Sequence, residues 1–290
     1  MLFKIVHRTQ YTYQNKILLE PQVLKLFPKS NIYQIVKSFD IKIEPKPYAM
    51  SRYVGAMENS VLQVLFDVHT NKFLVQVEFE VETLRNRPFD FFTDPYAQKM
   101  KFKYSDKLIH YLLPFLPPNK ESDVIKDFAE GLVKESEYDT NLFLIILNKR
   151  INSICEYIPS EYGLPNDAEM TLLSKKGCCR DLAYLFVECC RSVGIAARFA
   201  NGYLYNPKSE RNYIHAWAEA YLPGGGWRGY DPVQGLAVGD HHIILSSGAT
   251  QSDSIPIPDY FRCQNNEFSI DSHISIEQIN SQLETPQLKI

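Results

Sequence analysis

The sequence predicts an α+β fold: an N-terminal antiparallel β-sandwich, followed by a core of helices packed on a second antiparallel sheet. Three observations predict it. Apolar residues alternate with period two from Leu2 to about Thr83, recur with a helical period beyond Asn119, and return to period two after Gly194.

In the first block Phe3, Ile5, His7, Thr9, Tyr11 and Tyr13 share one side of a strand; Phe39, Ile41 and Ile43, then Phe73, Val75, Val77, Phe79 and Val81, repeat the pattern. Such alternation marks antiparallel sheet with one wet face. Pro21, Pro28, Pro45 and Pro47 fall at turns or strand edges, where a residue without an N–H is tolerated. Residues 1–84 are therefore expected to form a β-sandwich of about six strands. His7 and His69 are expected to be structural, as lone strand histidines are.

Residues 85–119 break the regularity with Pro88, the aromatic stretch Phe89–Phe92, Pro95, Pro114, Pro117 and Pro118, and are read as a connector. The core is assigned to residues 120–290. It begins with a helix carrying Val124, Ile125, Phe128 and Leu132 on one face, then a second from about Asp139 or Thr140 to Tyr157, and a third over Asp167 to Lys175. After these, Leu182, Leu185, Phe186, Cys189, Cys190 and Val193 line one face of an amphipathic helix that Gly194 stops. Strands are predicted over Ala197–Tyr205, Ile214–Leu222 and Trp227–Asp231, the last two joined by the turn Pro223-Gly224-Gly225-Gly226.

Composition excludes several classes of function. The net charge of −3 and the lack of any Lys/Arg block argue against a nucleic-acid partner. The longest apolar run, Leu142–Leu147, is too short to span a bilayer, and the start of the chain lacks the pattern of a signal peptide. No membrane partner and a cytoplasmic location are expected, with the six cysteines as reduced thiols. The pairs Cys178-Cys179 and Cys189-Cys190 are not C-x-x-C motifs, so neither a metal nor a cofactor is expected. The composition leaves oligomeric state open.

The chemistry concentrates around Gly177-Cys178-Cys179-Arg180-Asp181, which opens the fourth helix. A helix N-terminus presents unpaired N–H groups and partial positive charge, which favour a thiolate. His215 opens one later strand and Asp231 closes its hairpin partner, so the two are expected near one end of the sheet. A thiol, an imidazole to carry its proton and a carboxylate to hold the imidazole's tautomer are the parts of an acyl-transfer site.

The segments Gly177-Cys178-Cys179-Arg180-Asp181, Gly194-Ile195-Ala196-Ala197-Arg198, Asn201-Gly202-Tyr203, His215-Ala216-Trp217 and Gly226-Trp227-Arg228-Gly229-Tyr230-Asp231-Pro232 together resemble the core of bacterial transglutaminase-like proteins, a family whose members are often described as cysteine proteases. The opening His7-Arg8-Thr9-Gln10-Tyr11-Thr12-Tyr13 similarly resembles the N-terminal β-domain found with this core in bacteria. The resemblance implies Cys179 as nucleophile, His215 as general base and acid, and Asp231 as orienting carboxylate, on a papain-like arrangement of helix against sheet. The chain departs from the family at Cys178, where an aliphatic residue is usual, at Ala196 in place of proline, and at Val233 in place of threonine. Gly248-Ala249-Thr250-Gln251 stands where a Gly-Arg-Asp-Tyr-like segment is expected, and His241-His242 is read as structural.

The implied activity is thiol-dependent acyl transfer on a peptide or glutamine carboxamide of a peptide or protein substrate. Hydrolysis, by a cysteine protease or amidase, is favoured because water is abundant and transfer to an amine needs a site that excludes it. The alternatives are a transglutaminase with an amine acceptor and a non-catalytic peptide-binding protein.

Overall fold

The computed structural model describes residues 1–160, 165–209, 211–257 and 267–279. Strands β1 (Leu2–Leu18), β2 (Gln22–Leu24), β3 (Gln34–Glu44), β4 (Ala49–Val54), β5 (Ser60–Leu65) and β6 (His69–Thr83) supply the six expected in the first block. The period-two residues of β1 behave as their pattern requires: Phe3, Ile5, His7, Thr9, Tyr11 and Tyr13 are buried while their neighbours are not. Each large apolar side chain so removed from water contributes roughly 1.5–3 kcal/mol.

The connector holds more structure than its prolines suggested. Ser105 caps a short helix, α1 (Asp106–Leu112), by accepting the Leu108 N–H, and Tyr104 and Phe115 on either side of it pack with Trp227 and Tyr221. Then come α2 (Asp123–Glu135), α3 (Thr140–Ile154), the short β7 (Glu156–Tyr157), α4 (Ala168–Ser174), β8 (Lys176–Gly177) and α5 (Cys179–Ser192). α3 stops short of Tyr157 because Cys155 is extended, which lets β7 pair in parallel with β8 and sets Tyr157 beside Gly177.

The chain continues through β9 (Ala197–Leu204), β10 (Ile214–Leu222), β11 (Gly226–Asp231), β12 (Leu236–Ala237), β13 (His242–Gly248), α6 (Gln251–Ser254) and β14 (Phe268–Ile279). β9 to β13 form a five-stranded antiparallel sheet in the order β12-β11-β10-β9-β13. α5 lies on the face carrying Ala197, Phe199, Ala218, Ala220 and Leu222, in one apolar cluster with α2, α3 and α4. Small residues on those strands let the helix approach closely.

β14 returns to the first part of the chain and pairs along β1, giving a four-stranded sheet in the order β14-β1-β6-β3 beside the three-stranded β2-β5-β4. Residues 268–279, within the span 120–290 that the sequence assigns to the core, pair in the N-terminal sheet. The two parts also share a core, since Tyr203, Ile243 and Leu245 are buried in the same cluster as Phe3, Phe73 and Phe79. Gln34 fastens the union: its amide donates to the Ile244 carbonyl at 3.0 Å and accepts the Ile244 N–H at 2.8 Å.

Gly202 is where this packing tolerates no side chain. It pairs with His215 on one side and Ile244 on the other, and a Cβ there would stand 1.9 Å from the Ile243 carbonyl oxygen. Backbone cannot yield that distance without breaking the β9–β13 ladder, so Gly202→Ala is expected to cost about 3 kcal/mol or more in urea unfolding. Unchanged stability would mean the two strands separate more readily than this packing allows.

His7 is structural, as expected: its Nδ1 meets the Tyr203 hydroxyl at 2.8 Å and its Nε2 meets Thr9 Oγ1 at 2.9 Å. Burial pushes its imidazole down to about 4, against roughly 6.5 in an unfolded chain. Between those values the unfolded chain binds a proton that the folded chain refuses. The His7 contribution is therefore complete above about pH 6.5 and is lost as pH falls toward 4, at up to about 1.4 kcal/mol per pH unit. Stability measured by urea unfolding should fall across that window, and His7→Gln should flatten the fall; an equally steep fall in the variant would assign it to other groups.

Candidate active site

The start of α5 is built by a local exchange of hydrogen bonds. Cys178 is the extended residue before the helix, and its N–H donates to Asp181 Oδ2 at 2.7 Å, while Asp181 Oδ1 accepts the Asn166 N–H at 2.7 Å. The chain enters this turn through Gly177, where a Cβ would lie 2.7 Å from that of Asp181. Cys179 is thus held as the first residue of the helix, with its side chain buried.

His215 and Asp231 meet. Asp231 is not directly opposite His215 in the β10–β11 ladder, in which Ala218 faces Tyr230, but the side chains converge so that His215 Nε2 stands 2.8 Å from Asp231 Oδ2. The carboxylate is fully buried and fixed from both oxygens, since Oδ1 accepts the N–H groups of Val233 at 2.9 Å and Gln234 at 3.3 Å. Burial alone would raise its pKa. The two histidines around it outweigh burial and hold the carboxyl well below the usual carboxylate range.

The second of those histidines is His242, which the sequence placed among structural residues. Its Nε2 lies 3.1 Å from the same Asp231 Oδ2, and its Nδ1 accepts the Gly239 N–H at 3.4 Å, so Nε2 carries the proton and donates to the carboxylate. Trp217 packs against both rings, with centroids 6.3 Å from His215 and 5.3 Å from His242. Ligand-capable atoms of His215, Asp231 and His242 lie within 4.8 Å of one another, so His242 has companions that sequence spacing hid. Both Nε2 atoms are already engaged with the carboxylate, so a cation here would have to displace those hydrogen bonds.

Cys179 reaches the same end of β10. Its thiol is raised by the neighbouring Cys178 thiol and by burial, and eased by the backbone N–H of Ala216, the residue after His215. The hydrogen bond from Cys179, opposed by burial and aided by Arg180 and the Asp181 N–H, brings the Cys178 thiol down to about 7. The same hydrogen bond and burial push Cys179 up. The eased ionisation expected of Cys179 falls instead on Cys178, because a second thiol stands where an aliphatic residue was expected. Tyr157 lies within electrostatic reach of Cys179, Cys178 and Asp231; burial first, and then their negative charge, raise its phenol to about 12, so it stays protonated.

Beside the helix entrance a groove of about 100 Å³ is lined by Arg180, Ile214, Asn201 and Gln251, the neighbours of Cys179 and His215 among them. Gln251 comes from the segment that departs from the family pattern, and neither atom of its buried amide has a partner among the described residues. This wall of the groove therefore presents a neutral amide.

Both parts of the chain match described families. Residues 126–232 match the transglutaminase-like superfamily, and residues 3–82 match the bacterial transglutaminase-like N-terminal region. The chain belongs to the transglutaminase-like superfamily. It is 24% identical over 267 residues to an uncharacterized protein of Mycobacterium leprae, covering 88% of this chain and 91% of that protein. A second relative, from Mycobacterium tuberculosis strain H37Rv, is 22% identical over 273 residues, covering 88% and 86%. Among solved structures, that titled "Putative Cysteine Protease from Cytophaga hutchinsonii" superposes with a TM-score of 0.70 at 18% identity, covering 98% of this chain and 92% of that one. At that identity the likeness speaks to fold: this transglutaminase-like chain is a mixed α/β protein with N-terminal antiparallel sheets and the superfamily's core. Among the described residues no helix is long and apolar enough to cross a membrane, and the five described cysteines are free thiols.

Proposed function

We propose that this protein is a thiol-dependent acyl-transfer enzyme that hydrolyses peptide or glutamine carboxamide bonds, with Cys179 as nucleophile, His215 as general base and acid, and Asp231 as orienting carboxylate. The observation that carries the reading is the buried His215–Asp231 hydrogen bond of 2.8 Å at the start of β10, one residue before Ala216, whose N–H acts on the Cys179 thiol. Nε2 of His215 is occupied by the carboxylate, which leaves Nδ1 to exchange a proton with the thiol.

In this reading the Cys179 proton passes to His215 Nδ1 and the thiolate forms a bond to the substrate carbonyl carbon. The carbonyl oxygen becomes an oxyanion, stabilised by N–H groups in the first turn of α5 that have no intrahelical acceptor. His215 returns the proton to the leaving nitrogen as the C–N bond breaks, and an acyl-enzyme remains. Water then attacks the thioester, giving a proton to His215 while the Cys179 sulfur departs. The imidazolium formed in each half is opposite the Asp231 carboxylate, which holds the ring in place without taking the proton.

Incubation with a glutamine-containing peptide, with and without an added primary amine, tests the reaction. Mass spectrometry should find cleaved peptide, or peptide with glutamate in place of its glutamine, in both mixtures. A product bearing the amine would instead assign the transglutaminase alternative, and unchanged peptide in both would leave the peptide-binding one.

A further inference from the structure

The core sheet has a second face, opposite α5, and it is not filled. Between it and the segment leading into β3 lies a cleft of about 820 Å³, bounded also by the Gly224–Gly226 turn. That volume falls within the roughly 300–1,000 Å³ of sites that enclose small molecules.

The walls are cationic. Lys29, Arg85, Arg198 and Arg228 line the cleft against two carboxylates, Glu58 and Glu219, and Glu219 is already paired with Arg198 at 2.7 Å. Lys29 donates to Ser247 Oγ at 2.7 Å, and Arg228 lies over the Phe91 ring at 4.2 Å; neither makes an ion pair among the described residues. Arg228 is 8% exposed and Trp217 is 1% exposed, yet the Arg228 Nε and the Trp217 Nε1 have no hydrogen-bond acceptor among the described residues; the buried Arg85 Nε has none either. A buried donor left unpaired is destabilising, more so when it is charged, and several gathered around one cavity are all relieved by the same anion. Burial, and then Arg198, push the Lys29 ammonium down to about 8 against the opposing pull of Glu219 and Glu58. Burial would raise the Glu219 carboxyl, but Arg198, Arg85 and Lys29 keep it below its ordinary value.

We propose that this cleft is a binding site for a small molecule bearing a carboxylate or phosphate group, whose oxygens accept from Arg228, Arg85, Lys29 and the Trp217 indole. Guanidinium forks suit such oxyanions because they donate two parallel hydrogen bonds. The site lies on the far side of the sheet from α5 and does not require the chain to be an enzyme. Its inner wall includes His242 and Trp217, so an occupant would rest against the side chains that support Asp231 and His215.

The two tryptophans of the chain, Trp217 and Trp227, both line the cleft, so intrinsic fluorescence reports on it directly. The full chain is titrated with sodium phosphate and, separately, with sodium glutarate, at ionic strength held constant with sodium chloride. A saturable change is expected with half-saturation below about 1 mM, raised at least tenfold in Arg228→Gln and in Lys29→Gln. Saturation by phosphate alone assigns a phosphate ligand, by glutarate alone a carboxylate ligand, and by both the chemistry they share. No saturable response to either anion overturns the proposal, as does a half-saturation unchanged in Lys29→Gln. Should circular dichroism show Arg228→Gln unfolded, Lys29→Gln, a change on the other wall of the cleft, decides the question alone.

Discussion

Replacing Cys179 with alanine is expected to abolish turnover of a peptide substrate, on the order of 10⁶-fold in kcat, the loss seen when the nucleophile of such a unit is removed. Replacing Cys178 should leave most of the activity. The two residues are adjacent and equally buried, so burial does not distinguish them. Position does: Cys179 is the first helical residue, whereas Cys178 precedes the helix. Removing Cys178 takes away the neighbour that pushes the Cys179 thiol up, so the pH midpoint for alkylation of Cys179 should fall in Cys178→Ala. Steady-state rates and iodoacetamide labelling against pH measure both effects; loss of activity in Cys178→Ala with retention in Cys179→Ala would exchange the roles.

The second large effect is expected at Asp231. Asparagine there keeps the shape and the Oδ1 contacts to the N–H groups of Val233 and Gln234, but loses the charge opposite His215 and His242. With that charge gone, the carboxamide can present N–H groups to the rings and favour the wrong tautomer of His215. Turnover should drop by about 10⁴-fold, with KM changed much less. The pH dependence has a definite sign. Because the Asp231 carboxyl lies below its unfolded value, its stabilisation is complete above the ordinary carboxylate range and is lost progressively as pH falls from that range to its lowered folded value. Unchanged kcat in Asp231→Asn would remove this residue from the chemistry.

Local periodicity made much of this molecule legible. β10 was bounded at Ile214 and Leu222 from its alternation alone, and the apolar face of α5 from residues at helical spacing. Those readings need only neighbours in sequence. What depends on distant pairing was not legible. β14 was missed because its place beside β1 is set by a sheet edge some 260 residues away in the chain. Tyr157 was drawn into α3 because nothing nearby shows that β7 pairs with β8. His242 is the instructive case at the site. Its sequence neighbours are Asp240 and His241, yet its partner is Asp231, brought within 3.1 Å by a sheet in which β13 and β11 are not adjacent. The tight hairpin between β10 and β11 predicts that His215 and Asp231 lie at one end of the sheet, but the register that joins them is set by the whole sheet rather than by local sequence.

The central claim is that the sulfur at position 179 becomes acylated. It is tested most directly by mixing the protein with p-nitrophenyl acetate, quenching in acid within the first turnover, and mapping the acetyl group by peptic digestion and mass spectrometry. The account predicts a thioester on Cys179 that is absent in Cys179→Ala. An acetyl group found on Cys178, or on neither residue while nitrophenol is released, would contradict it.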